Sequence, residues 1–203
     1  MQKKSLFIGL FLILGISIFC SFIFQVTVHK CLWWNCAPTR NIVVLEDLNI
    51  PKNMFPEASL VKPLSRPRDI FPAVEAGITS NYWGEGKVTT YWVRRFATIQ
   101  KATEVYENNL ENHTKDYTFD LTIETRLHAD AYFSGCGINS FSGQFHCKVL
   151  LRYSEYVVSL TSSTDITFRG VDLLKIVDYL DQLFAKELRG CRIRRRCFHL
   201  PLS

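Results

Sequence analysis

From Ser5 to Phe24 the chain runs twenty residues, SLFIGLFLILGISIFCSFIF, without a charge, and only Ser5, Ser17 and Ser21 are polar. At 1.5 Å of rise per residue a helix of that length spans about 30 Å, the thickness of a bilayer's hydrocarbon layer. The stretch predicts a transmembrane anchor over residues 5–27, with a short cytoplasmic N-terminus over residues 1–4. A removable signal peptide has a shorter apolar core and small residues before its cut. Here Ile18, Phe19 and Cys20 precede Ser21, so an uncleaved anchor is the better fit.

Flanking charge sets the expected orientation. Lys3, Lys4 and the terminal amine precede the apolar stretch, and Lys30 and Arg40 follow it. That bias places the N-terminus inside and the rest of the chain on the extracytoplasmic side. Trp33 and Trp34 fall where the helix would leave the bilayer, as membrane-interface residues do. Packing of both rings on the following domain is the plainer alternative.

Six of the seven cysteines lie beyond the anchor and fall into neighbouring pairs: Cys31 with Cys36, Cys136 with Cys147, and Cys191 with Cys197. An even number outside the membrane reads as disulfides in an oxidising compartment, which agrees with the orientation. Cys20 is left as a free thiol within the anchor.

The net charge of +5 is concentrated at one end. Arg189, Arg192, Arg194, Arg195 and Arg196 stand in the last fifteen residues with no acid among them. Removing these five from the 24 basic residues leaves 19 against 19 acidic ones, so the body of the chain is balanced. A bridge between Cys191 and Cys197 would hold Arg192, Arg194, Arg195 and Arg196 in a small ring. Arginine suits bidentate contacts to carboxylate or phosphate. The candidate partners are anionic lipid and an acidic polymer or protein face; the predicted side of the membrane argues against nucleic acid. The alternative is a tail that only solubilises.

Between anchor and tail the sequence reads as one α+β domain over residues 73–190, after a juxtamembrane and proline-rich surface segment over residues 28–72 and before a basic, cysteine-containing tail over residues 191–203. Asn41–Leu45 reads as a short strand. Pro51, Pro56, Pro63, Pro67 and Pro72 then give a surface meander, tacked to the core by Met54, Phe55, Leu60 and Val61. Thr79–Trp83 and Lys87–Phe96 read as a hairpin around Gly84-Glu85-Gly86. Thr98 caps a helix ending near Asn112, and Tyr117–Thr125 alternates as a half-buried strand. Ser134–Gly143 reads as a glycine- and serine-rich loop. Phe145–Tyr153 and Tyr156–Thr161 form a second hairpin around Ser154-Glu155, and a helix follows from Thr167 to Leu188 with Gly190 as its stop. The pattern of hairpin then helix occurs twice. It predicts an antiparallel sheet of about six strands with both helices packed on one face, each helix having one apolar stripe.

No constellation carries a catalytic signature. The Ser134–Gly143 loop neither follows a strand nor opens a helix as a phosphate loop does. Cys136, His146, Cys147 and His128 match no usual zinc spacing. His128 and Asp130 are close in sequence, but no nucleophile elbow accompanies them. Asp172, Asp178 and Asp181 are assigned to the solvated side of the last helix. No cofactor, metal or catalytic residue is assigned. The reading is a membrane-anchored extracytoplasmic domain that binds a protein partner or organises a complex without catalysis. A small-molecule or lipid-binding domain with a cleft between sheet and helices, near Tyr82, Trp83, Tyr91 and Trp92, is the alternative. An extracytoplasmic hydrolase is the third.

Overall fold

The structure, a computed structural model, describes residues 2–29, 31–32, 35–38, 40, 42–56, 59–83, 87–113, 117, 119–120, 127–138, 143–163 and 170–193. For residues 2–12, 29, 83, 112–113, 119–120, 170–172 and 189–193 it describes the backbone alone. The chain is α+β. Helix α1 spans Gln2–Phe24 and continues as one π-helical turn over Gln25–His29. Helix α2, Val44–Asp47, is a single turn. The domain proper comprises strand β1 (Glu75–Trp83), strand β2 (Lys87–Arg95), helix α3 (Ile99–His113), strand β3 (Phe119–Asp120), strand β4 (Ala131–Ile138), strand β5 (Phe145–Tyr153), strand β6 (Tyr156–Ser163) and helix α4 (Gly170–Ile193).

Among the described residues no helix is long and apolar enough to cross a membrane. The expected span over residues 5–27 therefore has no direct counterpart. The described side chains of α1 run from Ile13 to Phe24. Every side chain in that stretch is exposed, including Ile13, Leu14, Ile16, Phe19 and Phe24.

The sheet has the order β1-β2-β6-β5-β4-β3 and is antiparallel throughout. Five strands are full-length; β3 contributes only Phe119 and Asp120, and the rest of the expected Tyr117–Thr125 strand lies mostly outside the described residues. The first hairpin pairs as expected, with its connection at residues 84–86 outside the described residues. The second turns on Ser154, whose φ of 55° is left-handed, and Glu155. Residues 60–65 run along the free edge of β1, bridging Leu60 to Tyr82 and Ser65 to Ile78. Pro63, lacking a donor, stands between the two bridges. Side chains complete the seam: Asn81 Oδ1 accepts from Lys62 N at 2.9 Å, and Thr79 Oγ1 donates to Lys62 O at 2.9 Å. The sheet's first edge is thus covered against unwanted pairing.

The two long helices lie on opposite faces, not on one. Adjacent residues of a strand point to opposite sides. In β5, Val149, Leu151 and Tyr153 pack with Leu173, Ile176, Val177, Leu180 and Phe184 of α4, while Leu150 packs with Ala102, Val105 and Tyr106 of α3. In β6, Val158 and Leu160 take the α4 side and Val157 the α3 side. The continuous apolar run Val149-Leu150-Leu151 is what a strand covered on both faces needs. The proline-rich segment joins the α4 side through Ile42, Val44, Leu48, Ile50, Phe55 and Leu64. At Gly77 an added Cβ would stand 3.1–3.2 Å from Leu45, Leu64 and Val44, so the missing side chain lets α2 rest against β1.

Other expectations change as well. Val44–Asp47 is a helical turn rather than part of a strand. Ser134–Gly137 belongs to β4, not to a loop, because pairing with β5 overrides glycine's poor strand preference. Thr98 does cap α3, accepting from Lys101 N at 3.0 Å. Helix α4 runs through Gly190 to Ile193, so the boundary drawn between the domain and the tail falls inside a helix. A glycine costs only about 1 kcal/mol in a helix and so need not end one.

Arg40 and Glu155 form a bidentate pair at 2.9 and 3.3 Å, with side chains 8% and 0% exposed. Removing one member strands the other charge. Arg40→Met is therefore expected to cost about 3–5 kcal/mol, and Arg40→Met with Glu155→Met to recover most of it. Urea unfolding of the single and double variants checks this; equal losses in both would deny the coupling.

Candidate functional site

Two regions stand out. The first is the end of the sheet where β5 turns into β6. Glu155 sits in that turn and receives Arg40; Arg95 Nη2, at the end of β2, donates to Pro38 O at 3.2 Å. Ala37 N donates to Ala97 O at 2.7 Å, and Cys31 and Cys36 form a disulfide. The foot of α1 reaches the same place, where Gln25 Nε2 lies 3.9 Å from Cys36 Sγ. A cleft of about 400 Å³ separates Gln25 and Val28 from Val74, Arg95 and Phe96. Helix α4 also arrives here. It follows β6, whose last residue Ser163 is at the far end, and Phe184 stacks on Tyr153 with centroids 4.4 Å apart in the last row before the turn. The turns of α4 after Phe184 thus lie at the end of the domain that the foot of α1 reaches.

The second region is on the α3 face. Helix α3 covers the sheet around Leu150 and Val157 and leaves the rest of that face as a groove of about 290 Å³. Its floor follows from the register: Lys148 pairs with Thr161 and Thr161 with Thr90, while Leu150 pairs with Ser159 and Ser159 with Trp92. Paired residues share a face. Asn109 of α3 forms one wall and Arg94 one end. The Arg94 guanidinium lies 4.6 Å over the Trp92 ring. Burial lowers its pKa and the charge of Asp69 partly restores it. Lys148 is 5% exposed. Its ammonium makes no hydrogen bond or ion pair among the described residues. Burial pushes its pKa down to about 8.

The sequence-derived sites fare unevenly. Cys136 and Cys147 are joined, so neither is available as a thiolate ligand, and Cys20 is free and exposed. Trp33, Trp34, Arg194, Arg195, Arg196 and Cys197 lie outside the described residues. Cys191 and Arg192 are in the last turn of α4, where only the backbone is described. Trp92 does line a cleft between sheet and helix, whereas Tyr91 is core and donates to Leu48 O at 3.0 Å.

His128 does not act with Asp130. Asp130 Oδ2 accepts from Ser154 N at 2.6 Å, and His128 Nδ1 meets Asp181 Oδ2 at 2.7 Å. Asp181, expected on a solvated face, is 3% exposed. It accepts from His128 N at 2.8 Å, Ala129 N at 3.2 Å and Tyr153 OH at 3.0 Å. One carboxylate therefore fastens the segment before β4 onto α4 and holds the Tyr153 phenol well above its ordinary pKa, after burial itself. Two signals were present in the sequence. Asp181 falls on the stripe Val177, Asp181, Phe184, Leu188, and Lys148 stands directly between Cys147 and the apolar run Val149-Leu150-Leu151. Glu155, at a hairpin tip where charge is ordinarily solvated, carried none.

Compared with protein-family models, with curated proteins and with solved structures, the chain matches none of them.

Asp181→Ala leaves several donors unpaired and is expected to cost about 2–4 kcal/mol, read as a lower urea midpoint. Lys148 has the opposite sign. Its folded pKa, about 8, lies below the unfolded value, so the unfolded chain binds more protons above pH 8. Stability should rise between about pH 8 and 10, then fall as buried tyrosines such as Tyr106, held up to about 12, oppose ionisation. Lys148→Met should flatten the rise and stabilise the protein at neutral pH by roughly 1–3 kcal/mol. Urea unfolding across that pH range measures both effects.

Proposed function

We propose that this chain is a single-pass membrane protein whose α+β domain is held close to the outer face of a bilayer and works by binding, organising a protein partner rather than catalysing a reaction. The observation that carries the reading is α1. From Ile13 to Phe24 its side chains are exposed on every side, and they continue an apolar sequence that begins at Ser5. Burying a single large apolar side chain is worth about 1.5–3 kcal/mol, so a helix of this composition left in water would cost tens of kcal/mol. A lipid environment removes that cost. Disulfides at Cys31–Cys36 and Cys136–Cys147 fit an oxidising compartment.

The domain is not on a loose tether. Arg40, Cys36 and Ala37 tie the segment after the anchor to the end of the sheet, so the domain sits at the membrane and not at a distance from it. The arginine-rich tail, with Arg192, Arg194, Arg195 and Arg196, leaves α4 at that same end. We assign it to anionic lipid headgroups, which attract basic segments at about 1 kcal/mol per residue.

Full-length protein should remain in the membrane fraction after alkaline carbonate, and Ile16→Lys with Phe19→Lys should release it. Retention of the double variant would sink the anchor. For the tail, trypsin cleavage after these arginines in full-length protein should be several-fold slower in nanodiscs containing anionic lipid than in zwitterionic ones, with salt abolishing the difference. Equal rates would remove the tail from the membrane surface.

A further inference from the structure

We propose that the groove on the α3 face is a binding site for a small monocarboxylate, with Lys148 as its counter-ion and the hydroxyls of Thr90, Ser159 and Thr161 as donors beside it. The inference is independent of the anchor.

It starts from an imbalance. Lys148 is 5% exposed and its ammonium meets solvent only through the groove. An ammonium so largely withdrawn from water is costly unless an opposite charge or several acceptors face it. Lys148 stands at mid-strand on a face lined by hydroxyls, and Gly135 directly across the β4–β5 pair adds no side chain beside it. Charged groups on the elements around it are few. On β5, His146 is its nearest same-face neighbour and is buried. On β2 there is Arg94, which is stacked on Trp92 and senses Asp69. Helix α3 presents Asn109, and β6 presents only Ser159 and Thr161. On β3 the backbone of Asp120 registers with Gly135, two strands from Lys148 and so about 10 Å away. Arg94 is thus partly balanced, and Lys148 is the one cation left uncompensated among the described lining residues.

One uncompensated positive charge matches a monoanion better than a doubly charged phosphate. Hydroxyl donors and an ammonium suit carboxylate oxygens. Trp92, Leu150 and Val157 supply apolar surface for the carbon part of the ligand. The volume, about 290 Å³, limits that ligand to a small molecule. The lowered pKa of Lys148 makes binding depend on pH: the empty site holds its proton weakly, and the anion would hold it in place.

The test uses benzoate as the probe, titrated calorimetrically into full-length protein in detergent, with the indole N–H resonance of Trp92 followed in parallel. Benzamide serves as the uncharged isostere and inorganic phosphate as the competing anion. Saturable benzoate binding that shifts Trp92 is expected, without binding of benzamide. Between pH 7 and pH 9.5 the apparent Kd should rise about thirtyfold, following the ammonium with its pKa of about 8. Lys148→Met should weaken benzoate at least tenfold while raising the urea midpoint, a combination that misfolding cannot produce. Asp120→Asn should leave the affinity unchanged. The proposal is overturned by absence of saturable benzoate binding, by equal binding in Lys148→Met, by tighter binding of phosphate than of benzoate, or by a tenfold gain in Asp120→Asn, which would make that carboxylate the partner of Lys148.

Discussion

The buried pair between Arg40 and Glu155 decides how the chain is put together. Glu155 is fully buried in a two-residue turn, a position that normally faces water. It is there because the segment arriving from α1 closes over the turn and supplies a guanidinium at 2.9 Å. Neither charge is tolerable without the other, since each desolvated ion costs several kcal/mol. A hydrophobic pair could replace them with little loss of stability. What the ion pair adds is an address: only one arrangement of the segment after α1 on the sheet neutralises both charges. Arg95, bonded to Pro38 O and lying 5.8 Å over the Tyr156 ring, reinforces that arrangement from the neighbouring strand.

The second constraint is that the sheet must be covered on two sides by unequal means. Helix α4 and the proline-rich segment together bury one face from Val44 to Phe184. Among the described residues the other face is covered mainly by α3, fifteen residues long and so about 22 Å in length, with Ile70 and Ala73 beside it. It shields Leu150 and Val157 and stops short of the polar rows formed by Thr90, Thr161 and Lys148. The groove is therefore a consequence of the coverage, and its chemistry is a consequence of the residues that the uncovered rows carry. Serine and threonine there need no cover; Lys148, 5% exposed, is the residue of that face for which burial costs most.

Much of this was legible in advance. The strands of both hairpins, the cap at Thr98 and the pairing of Cys31 with Cys36 and of Cys136 with Cys147 follow from local periodicity and spacing. The side on which each helix packs does not. A single apolar stripe says that a helix has one buried face, but which face of the sheet receives it depends on the connections, and those at residues 114–116 and 164–169 carry no such signal. The interleaved burial of β5 was the available clue: Val149, Leu150 and Leu151 in succession cannot all face one helix. Asp181 was misassigned for a related reason. Polar residues on a helix default to solvent, yet this one lies in register with the apolar stripe and is buried by four donors that come from elsewhere in the chain.

These features meet in β2. Its last two residues point to opposite faces: Arg95 ties the segment after α1 to the sheet, and Arg94 lines the groove. Strand β2 pairs along its whole length with β6, which carries Ser159 and Thr161 on the groove side and starts at the turn that holds Glu155. A paired strand of this length is stiff, since moving one residue along it shifts register and turns every side chain to the wrong face. The mouth of the groove is thus held in a fixed relation to the end of the domain at which α1 arrives. A ligand bound there would meet a preformed site, with little ordering left to do on either strand.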